Sequence, residues 1–348
     1  MKINQLKGRK ILNSSGNWTV ECFLKTSQGR EVNASVPQGI STGKEERPPV
    51  EPEKAVEQIE KEIFPQITGK ELKQEPLDRI LTEGNWGANA TLAVSAAFFK
   101  LVAHSTVKQL PKIMMLIFEG EAHGNPKLTI QEFMVIVDRV EKGVAFYRKV
   151  EKCLEKKGLL TTIGSEGGFS PKELNDHDVL DIMKKMSGEN ITLDIAGNIN
   201  PPTIPDLLEI VRRYPIVGLE DPFPENKPEQ WQEFFQKVTE VNPKILVVAD
   251  DLTVTDAGKI KKGALDKLFN GVIIKPNQQG TITAAKNALL TAKNLGIKTI
   301  VSHRGEETND NWIADFAVRF GADFVKFGAP ARGERVAKYN RLLQLLKK

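Results

Sequence analysis

The sequence has few of the features that mark disulfide-rich, zinc-binding or membrane proteins. Its two cysteines, Cys22 and Cys153, have a spacing that fits neither a disulfide framework nor a zinc site. No apolar run approaches the roughly 20 residues that span a membrane. The opening segment, MKINQLKGRK, also lacks the apolar core of a signal peptide. We therefore expect a protein of the reducing cytoplasm with no membrane partner.

The sequence also lacks a strong excess of either acidic or basic residues. The chain has 49 basic and 45 acidic residues, which are interspersed and leave a net charge of +4. No basic stripe is present, so we expect no nucleic-acid partner, whereas a local site for a small anion is compatible with this balance. With 348 residues the chain is too long for one ordinary core and suggests two domains.

The first part of the chain reads as strands followed by helices. The runs TVECFLKT and REVNASV are rich in β-formers, and the turn signal Ser27-Gln28-Gly29 between them predicts a hairpin. The small and polar segment 36–43 is typical of a loop. Helical periodicity follows at about 52–64, 70–82 and 88–104. This segregation predicts an α+β domain over residues 1–108.

From residue 109 the pattern changes to two strands, two helices and six strand–helix units. KIMMLIF and TIQEFMVIV form the strands, and 141–157 and 171–186 form the helices. The total of eight strands predicts an α/β fold in which ββαα(βα)6 closes a (β/α)8-type barrel over 109–348. An open doubly wound sheet is the alternative. No glycine-rich phosphate loop opens any of these helices, which argues against a dinucleotide-binding sheet of that kind.

Each of the last six apolar runs ends in side chains that can do acid, base or metal chemistry. In order they end at Asp194, Glu220, Asp250, Lys275, the pair His303-Arg304, and Lys326. The carboxyl ends of parallel strands in a closed barrel all face one mouth, where the active sites of such barrels lie. The arrangement predicts an enzyme.

Three of these side chains are carboxylates on successive strands. Brought together they repel one another unless a cation neutralises them, and an all-oxygen set suits Mg²⁺. Taken singly, each would more often be a helix cap or a solvent-facing residue. The adjacent Asp221 and Asp251 are candidates for supporting or capping roles.

The two lysines and one glutamate are candidates for proton transfer. Lys275 and Lys326 each end an apolar strand, where burial and nearby positive charge lower a lysine pKa towards that of a usable base. The ordinary alternative is a surface lysine. Glu166, within Gly-Ser-Glu-Gly-Gly, is a candidate acid, although glycine loops often serve only to turn the chain.

Two further histidine positions are candidates for ligand contacts. The His303-Arg304 pair suits an anion, because Arg offers a planar fork to phosphate or carboxylate. His123 fits a loop contact, although alone it is more often an ordinary surface histidine. Together a divalent metal, a lysine base and a carboxylic acid suit removal of a proton next to a carboxylate, a pattern already known for the enolase superfamily.

The chain resembles the enolase family over nearly its whole length. The resemblance rests on many distinct motifs in the family's order: ILNSSGNWTVE, VPQGISTG, GANATLAVS, KLTIQEFMV, GSEGGFSP, LEDPFPE, ADDLTVT, IIKPNQQGTIT, SHRGEETND and KFGAPARGERVAKYNRLL.

The resemblance implies a metal site and a pair of proton-transfer groups. It implies a first Mg²⁺ on the three carboxylates Asp194, Glu220 and Asp250. Ser41 resembles the residue that helps to bind a second Mg²⁺. Lys275 resembles the base, and Glu166 the acid with Glu132 assisting.

Substrate contacts are implied in the same way. Lys326 resembles a contact for the substrate carboxylate and Arg304 a contact for the phosphate. His123, Gln131 and His303 match other positions of the substrate site. The implied reaction is the reversible dehydration of 2-phosphoglycerate to phosphoenolpyruvate in glycolysis and gluconeogenesis.

Two alternatives to this reaction stay open. One is a related lyase or epimerase acting on a different carboxylate, and the other is a non-catalytic binding protein that kept the fold. The resemblance also implies a homodimer or a higher homo-oligomer.

The sequence departs from the family pattern in and around the site. Gly305-Glu306 follows Ser-His-Arg where the family has Ser-Gly, so a hydroxyl is lost and a negative charge is added. Ser165 and Ser15 replace the usual Asp and Arg. Only 25 residues lie between Asp194 and Glu220, which suggests that a lid segment has been trimmed.

Overall fold

A three-stranded antiparallel sheet forms the first unit of the chain. The computed structural model describes residues 1–39, 45–103, 107–120, 125–187, 190–199 and 201–347. The sheet contains β1 (Ile3–Leu12), β2 (Trp18–Thr26) and β3 (Glu31–Ser35) in that order. The turn between β2 and β3 is the predicted hairpin. It is closed by the Thr26 N–H donating to the Arg30 carbonyl, with Gly29 at a φ of +80°.

Helices cover one side of this sheet. α1 (Pro52–Glu57) runs through a π-helical turn (Gln58–Ile63) into α2 (Phe64–Ile67), and α3 (Gln74–Glu83) follows. α4 (Ala88–Val102) is buried on nearly every face. Helices that are apolar all round lie inside a protein, and α4 packs against β2, β3 and the barrel helices.

Eight strands close a barrel, which excludes the open-sheet alternative. They are β4 (Lys112–Glu119), β5 (Glu132–Val137), β6 (Ile191–Asp194), β7 (Ile216–Glu220), β8 (Leu246–Ala249), β9 (Gly271–Ile274), β10 (Lys298–Ser302) and β11 (Phe324–Lys326). Hydrogen bonds join each strand to the next, and β11 pairs with β4 to complete the ring. These short strands are buried on both faces, as expected where helices cover the outside.

The outer helices have the predicted order ββαα(βα)6. They are α5 (Val140–Lys156), α6 (Asp176–Ser187), α7 (Ile204–Arg213), α8 (Pro228–Val241), α9 (Ala257–Leu265), α10 (Pro276–Gln279), α11 (Ile282–Asn294), α12 (Trp312–Arg319) and α13 (Gly333–Leu345). Thr203, Asp256 and Thr281 cap the starts of α7, α9 and α11 with side-chain oxygens.

One strand runs against the rest. β5 is antiparallel to both neighbours, β4 and β6, while the other pairs around the ring are parallel. A short connection joins β4 to β5. The two helices after β5 return the chain to the end where β5 finished. The first residue of β5, Glu132, therefore lies at the same mouth as the last residues of the parallel strands.

The first unit is attached to the rim of this mouth. Asp310, in the segment after β10, accepts the Ser35 N–H at 3.0 Å and the Lys100 ammonium at 3.0 Å. Trp312 donates its indole N–H to the Ser35 carbonyl at 3.2 Å. Among the described residues, no helix is both long and apolar enough to cross a membrane.

Candidate active site

The barrel mouth is a polar cavity that collects most of the residues singled out in the sequence. Its lining includes Gln131, Glu132, Glu166, Asp194, Asp250, Lys275, His303, Arg304 and Lys326. Gln131 is placed by backbone hydrogen bonds, since its N–H donates to the Asp194 carbonyl at 3.0 Å. Ser41 and His123 lie outside the described residues, so their roles stay predictions.

Three carboxylates surround one ammonium group at the centre of the mouth. Register pairs Glu132 with Asp194 and Asp194 with Glu220, so three adjacent strands carry acidic side chains at one level. Lys326 reaches them from β11, and its Nζ lies 2.8 Å from an oxygen of each one. All four side chains are buried. The lysine is thus the local counter-charge for this acidic ring.

Burial and charge act in opposite directions on these groups. Burial disfavours the charged form of Lys326, but Asp194, Glu132 and Glu220 outweigh it and raise the lysine pKa well above its usual value. Burial and the neighbouring Asp194 raise the pKa of Glu220 well above its usual value. The ring therefore has three carboxyl groups for one cation, and the raised pKa of Glu220 favours its protonated form.

Asp250 forms a second ion pair, with Lys275. The Lys275 ammonium donates to Asp250 Oδ2, and Gln278 donates to Oδ1 at 3.3 Å. Burial works against both charges, yet the pairing lowers the pKa of Asp250 and raises that of Lys275. The sequence led us to expect a lowered lysine pKa. The structure gives the opposite direction because the facing group is a carboxylate.

Asp221 supports the end of β8. Its two carboxylate oxygens accept the backbone N–H groups of Asp250 and Asp251, at 2.8 and 3.0 Å. Burial first, and then the nearby Asp251, raises the pKa of Asp221 well above its usual value. Asp251 itself has a pKa raised to about 7, chiefly by burial and then by Asp250. Asp221 therefore has the supporting role that the sequence left open.

The loop that carries Glu166 is held by a glutamate that sequence reasoning missed. Glu119, the last residue of β4, is fully buried and accepts the N–H groups of Glu166 at 3.1 Å and Gly168 at 3.3 Å. Burial, and then the charge of Glu166, raises the pKa of Glu119 to about 9. A signal was present, because Glu119 ends an apolar strand just as Glu220 does.

Arg304 is paired with a carboxylate of the first unit. Its guanidinium donates to both oxygens of Glu46, at 3.1 and 3.2 Å, and to Asn277 Oδ1 at 3.0 Å. This is the fork geometry with which Arg binds phosphate or carboxylate ligands. Glu46 thus occupies the bidentate position predicted for a substrate anion, and no local pattern in the sequence indicated it.

Glu306, one of the departures from the family pattern, has its partners in the first unit. Its carboxylate accepts the side-chain amides of Asn13 at 2.7 Å and Asn17 at 2.8 Å. Its backbone forms a bridge with Gln38. These contacts link the segment after β10 to the turn between β1 and β2.

Two groups of side chains have ligand atoms close enough to hold a metal ion. They are Glu132, Glu166 and His303, and Asp221, Asp250 and Asp251, each with its ligand atoms within 4.8 Å of one another. The predicted set Asp194, Glu220 and Asp250 is not such a group among the described residues. Its members are paired instead with Lys326 and Lys275.

Comparison with known proteins finds matches over nearly the whole chain. A family model described as the enolase C-terminal TIM barrel domain matches residues 107–197 and 187–348, and one described as the enolase N-terminal domain matches 3–114. The enolase of Bdellovibrio bacteriovorus is 33% identical over 402 aligned positions, which cover 97% of this chain and 94% of that protein. The enolase of Corynebacterium kroppenstedtii is 31% identical over 407 positions, with coverage of 99% and 95%.

The chain belongs to the enolase family.

The alignments also bear on its length. They extend over 402 and 407 positions, more than the 348 residues of the chain, so these enolases contain segments that the chain lacks. The barrel model matches in two pieces that meet around 187–197, at β6 and Asp194. This is the position at which the sequence suggested a trimmed segment. Membership of the enolase family indicates an enolase-type function, that of a lyase, and the acidic groups of the mouth are positioned to hold a metal.

Proposed function

We propose that this enolase-family protein catalyses the Mg²⁺-dependent, reversible dehydration of 2-phosphoglycerate to phosphoenolpyruvate. The observation that carries the proposal is the composition of the mouth. Lys275, Glu166 and Arg304 line one cavity together with the ring of carboxylates around Lys326. That cavity offers a base, an acid, a cation for a carboxylate and a fork for a phosphate.

The carboxylates fit a hard divalent cation. Asp194, Glu220 and Asp250 are buried oxygen donors, and the raised pKa of Glu220 reflects burial and repulsion that a cation relieves. We propose that these three hold Mg²⁺, with Ser41 assisting a second ion. Bound Mg²⁺ supplies stabilisation of the negative charge that develops on the substrate carboxylate.

Lys275 is the proposed base. It takes the proton from C2 of the substrate on Nζ, and for this it must first be neutral. Its pairing with Asp250 favours the ammonium form. A cation on Asp250 would weaken the interaction that raises the pKa of Lys275, so that more of the lysine would be in the neutral form that can accept a proton.

Glu166 is the proposed acid, assisted by Glu132. The bond from C3 to its hydroxyl breaks as Glu166 gives a proton to the departing oxygen, so water and the enol product form together. Burial raises the pKa of Glu132 well above its usual value, with Glu166 and Asp194 acting in the same direction and Lys326 against it. Glu132 is thus a second carboxyl group that can hold a proton, next to the proposed acid Glu166. Lys326, with Gln131 and His303 nearby, positions the carboxylate end of the substrate. His123 keeps its predicted role as a further substrate contact.

The deciding experiment measures phosphoenolpyruvate formation from 2-phosphoglycerate, with Mg²⁺ and with a chelator. We expect Mg²⁺-dependent turnover that Lys275→Ala abolishes, with the fold and Mg²⁺ affinity retained. Lys262→Ala, at an exposed lysine of α9, is the matched control and should behave as the unmodified protein. Absence of turnover in a folded, Mg²⁺-binding protein would overturn the proposal.

A second candidate is a related lyase or epimerase that acts on a carboxylate without a phosphate. It is favoured by the bidentate pairing of Arg304 with Glu46 and by the lost hydroxyl at Gly305. Profiling of 2-hydroxy and 2-phospho acids separates the two, since a non-phosphorylated acid is preferred only under the second. Mg²⁺ binding without turnover of any acid would instead favour a non-catalytic binding role.

We further propose a cytoplasmic homodimer or higher homo-oligomer, with a domain division at 108/109. Light scattering on the purified chain tests the assembly. Expression of residues 109–348 alone tests the division. A monomer in the first case, or an unfolded fragment in the second, would contradict these two proposals.

A further inference from the structure

A fully buried guanidinium lies behind His303, on the side away from the cavity acid. Arg335, in the first turn of α13, donates from Nη1 to Nδ1 of His303 at 2.7 Å. The same Nη1 donates to the Arg304 carbonyl at 2.6 Å, and Nη2 donates to the Gly305 carbonyl at 2.6 Å. Arg335 therefore holds both the imidazole and the backbone of the segment after β10.

The chemistry of the two groups fixes the proton on the histidine. A guanidinium has donors and no acceptor, so the Nδ1 atom that faces Arg335 must accept. A neutral imidazole then carries its proton on Nε2. Protonation would place an N–H on Nδ1, directly against another N–H of Arg335. His303 therefore remains neutral as long as Arg335 keeps this position.

The other ring nitrogen faces Glu166. Nε2 of His303 lies 3.4 Å from Oε2 of Glu166, and both side chains are buried. Burial lowers the pKa of His303 well below its usual value, with Arg335, Lys326 and Lys338 acting in the same direction and Glu166 against them. Burial thus favours the neutral form that the hydrogen bond from Arg335 requires.

We propose that Arg335 is a positioning residue that fixes His303 as the neutral Nε2–H tautomer, whose N–H lies 3.4 Å from the Glu166 carboxyl group. The inference rests on the proposed function in one respect, since it takes Glu166 as the acid. His303 then neither competes for the proton of Glu166 nor supplies one. It presents a fixed N–H to the carboxyl group of Glu166.

This tautomer also decides what the cluster Glu132, Glu166 and His303 binds. Its ligand atoms lie within 4.8 Å of one another, close enough to hold a metal ion. A metal needs a lone pair on the imidazole nitrogen that faces it. Here that nitrogen is Nε2, which carries the proton because Arg335 uses the lone pair of Nδ1. His303 is therefore unavailable as a metal ligand while Arg335 holds it.

Nitrogen NMR of the unmodified full-length chain tests the tautomer directly. The chain has four histidines, so His303→Gln identifies the His303 resonances by their disappearance. We expect an unprotonated Nδ1 and a protonated Nε2 that stay unchanged from about pH 5 to about pH 8. A proton on Nδ1, or titration with the pKa of an ordinary imidazole, would overturn the proposal. Because this readout needs no turnover, it is independent of the proposed function.

Substitution of Arg335 tests the consequence for catalysis. Arg335→Met should make His303 titrate, displace the acidic limb of the pH profile and lower kcat by about 10-fold to 100-fold, part of what general acid catalysis contributes. KM should change little, and Arg335→Lys should restore part of the loss. Arg341→Met removes another guanidinium of α13, one that pairs with Asp315, and is the matched control. A folded Arg335→Met protein with the original pH profile and His303 spectrum would contradict the role.

Discussion

The carboxyl group of Glu119 accepts the backbone N–H of Glu166 at 3.1 Å, across 47 positions of sequence. The same oxygen accepts the Gly168 N–H at 3.3 Å, so one buried side chain holds the loop of the proposed acid. Burial, and then the charge of Glu166, disfavours the ionised form of Glu119. The loop that carries Glu166 is therefore held by a buried carboxyl group whose pKa is raised to about 9.

The first prediction concerns the pH dependence of stability. The pKa of Glu119 rises from 4.5 to about 9 on folding, so between these values the native state holds a proton that the unfolded chain has released. This contribution is complete below about pH 4.5 and is lost as pH rises towards about 9. Glu119→Gln keeps an acceptor for both N–H groups and cannot ionise. The free energy of unfolding of this variant should increase relative to that of the unmodified protein as pH rises from about 4.5 to about 9.

Urea unfolding at a series of pH values measures this difference. Glu119→Ala is the complementary variant, because it removes the acceptor of two buried N–H groups, at a cost of about 1–3 kcal/mol for each. The difference between the Gln variant and the unmodified protein should level off above about pH 9. A difference that does not vary with pH would show that Glu119 is not protonated in the native state.

The second prediction concerns the pairing of Glu46 with Arg304. A substrate phosphate has to displace the Glu46 carboxylate from the Arg304 fork, which lowers the apparent affinity by the fraction of protein in the paired state. Glu46→Gln weakens the pairing and should lower the KM for 2-phosphoglycerate about threefold or more. Inhibition by inorganic phosphate should strengthen in parallel.

The neighbouring Glu45 provides the control for this experiment. Its exposed carboxylate pairs with Lys259, so Glu45→Gln should leave KM unchanged. An unchanged or higher KM in the Glu46 variant would show that Glu46 supports the phosphate site. It would then not be a competitor for that site.

The third prediction concerns Lys326. Lys326→Met removes the counter-charge of Glu132, Asp194 and Glu220 and leaves buried carboxylates unbalanced. In the absence of metal the protein should lose about 3–5 kcal/mol of stability, the usual cost of breaking a buried ion pair. Mg²⁺ should recover part of this loss, since a ligand that binds only the folded state stabilises it.

Unfolding measured with and without Mg²⁺ distinguishes the loss of the Lys326 charge from a simple packing defect. Lys298→Met, at a half-exposed lysine that pairs with Asp323, is the control and should cost no more than about 1 kcal/mol. A Lys326 variant that is equally destabilised with and without Mg²⁺ would argue against a metal site on these carboxylates.

The fourth prediction concerns Gly305. Its backbone is not in the left-handed region, so a serine side chain introduces no strain of that kind. Gly305→Ser restores a hydroxyl at the rim of the mouth and should lower the KM for 2-phosphoglycerate. Steady-state kinetics measure the change, and a KM that stays constant or rises would show that the lost hydroxyl is not limiting.

Some of these features were accessible from the sequence, because strand ends have a fixed place in a barrel. The positions of Asp194, Glu220, Asp250 and Lys326 followed from apolar runs that end in polar side chains. The reversed direction of β5 was not accessible. It places Glu132 at the mouth although this residue begins its strand.

The sequence by itself determined the order of strands and helices and the polar side chains at the strand ends, since hydrophobic periodicity and strand order are local properties of the chain. Only the tertiary structure decided the partners of those side chains. Arg304 pairs with Glu46 across 258 positions, and His303 with Arg335 across 32. Such pairs leave no periodic signal, because a charge in a helix or loop has the same local pattern whether it faces solvent or another charge. The partner of each side chain sets the direction of its pKa shift. The protonation states of the site residues are therefore decided only in the folded protein.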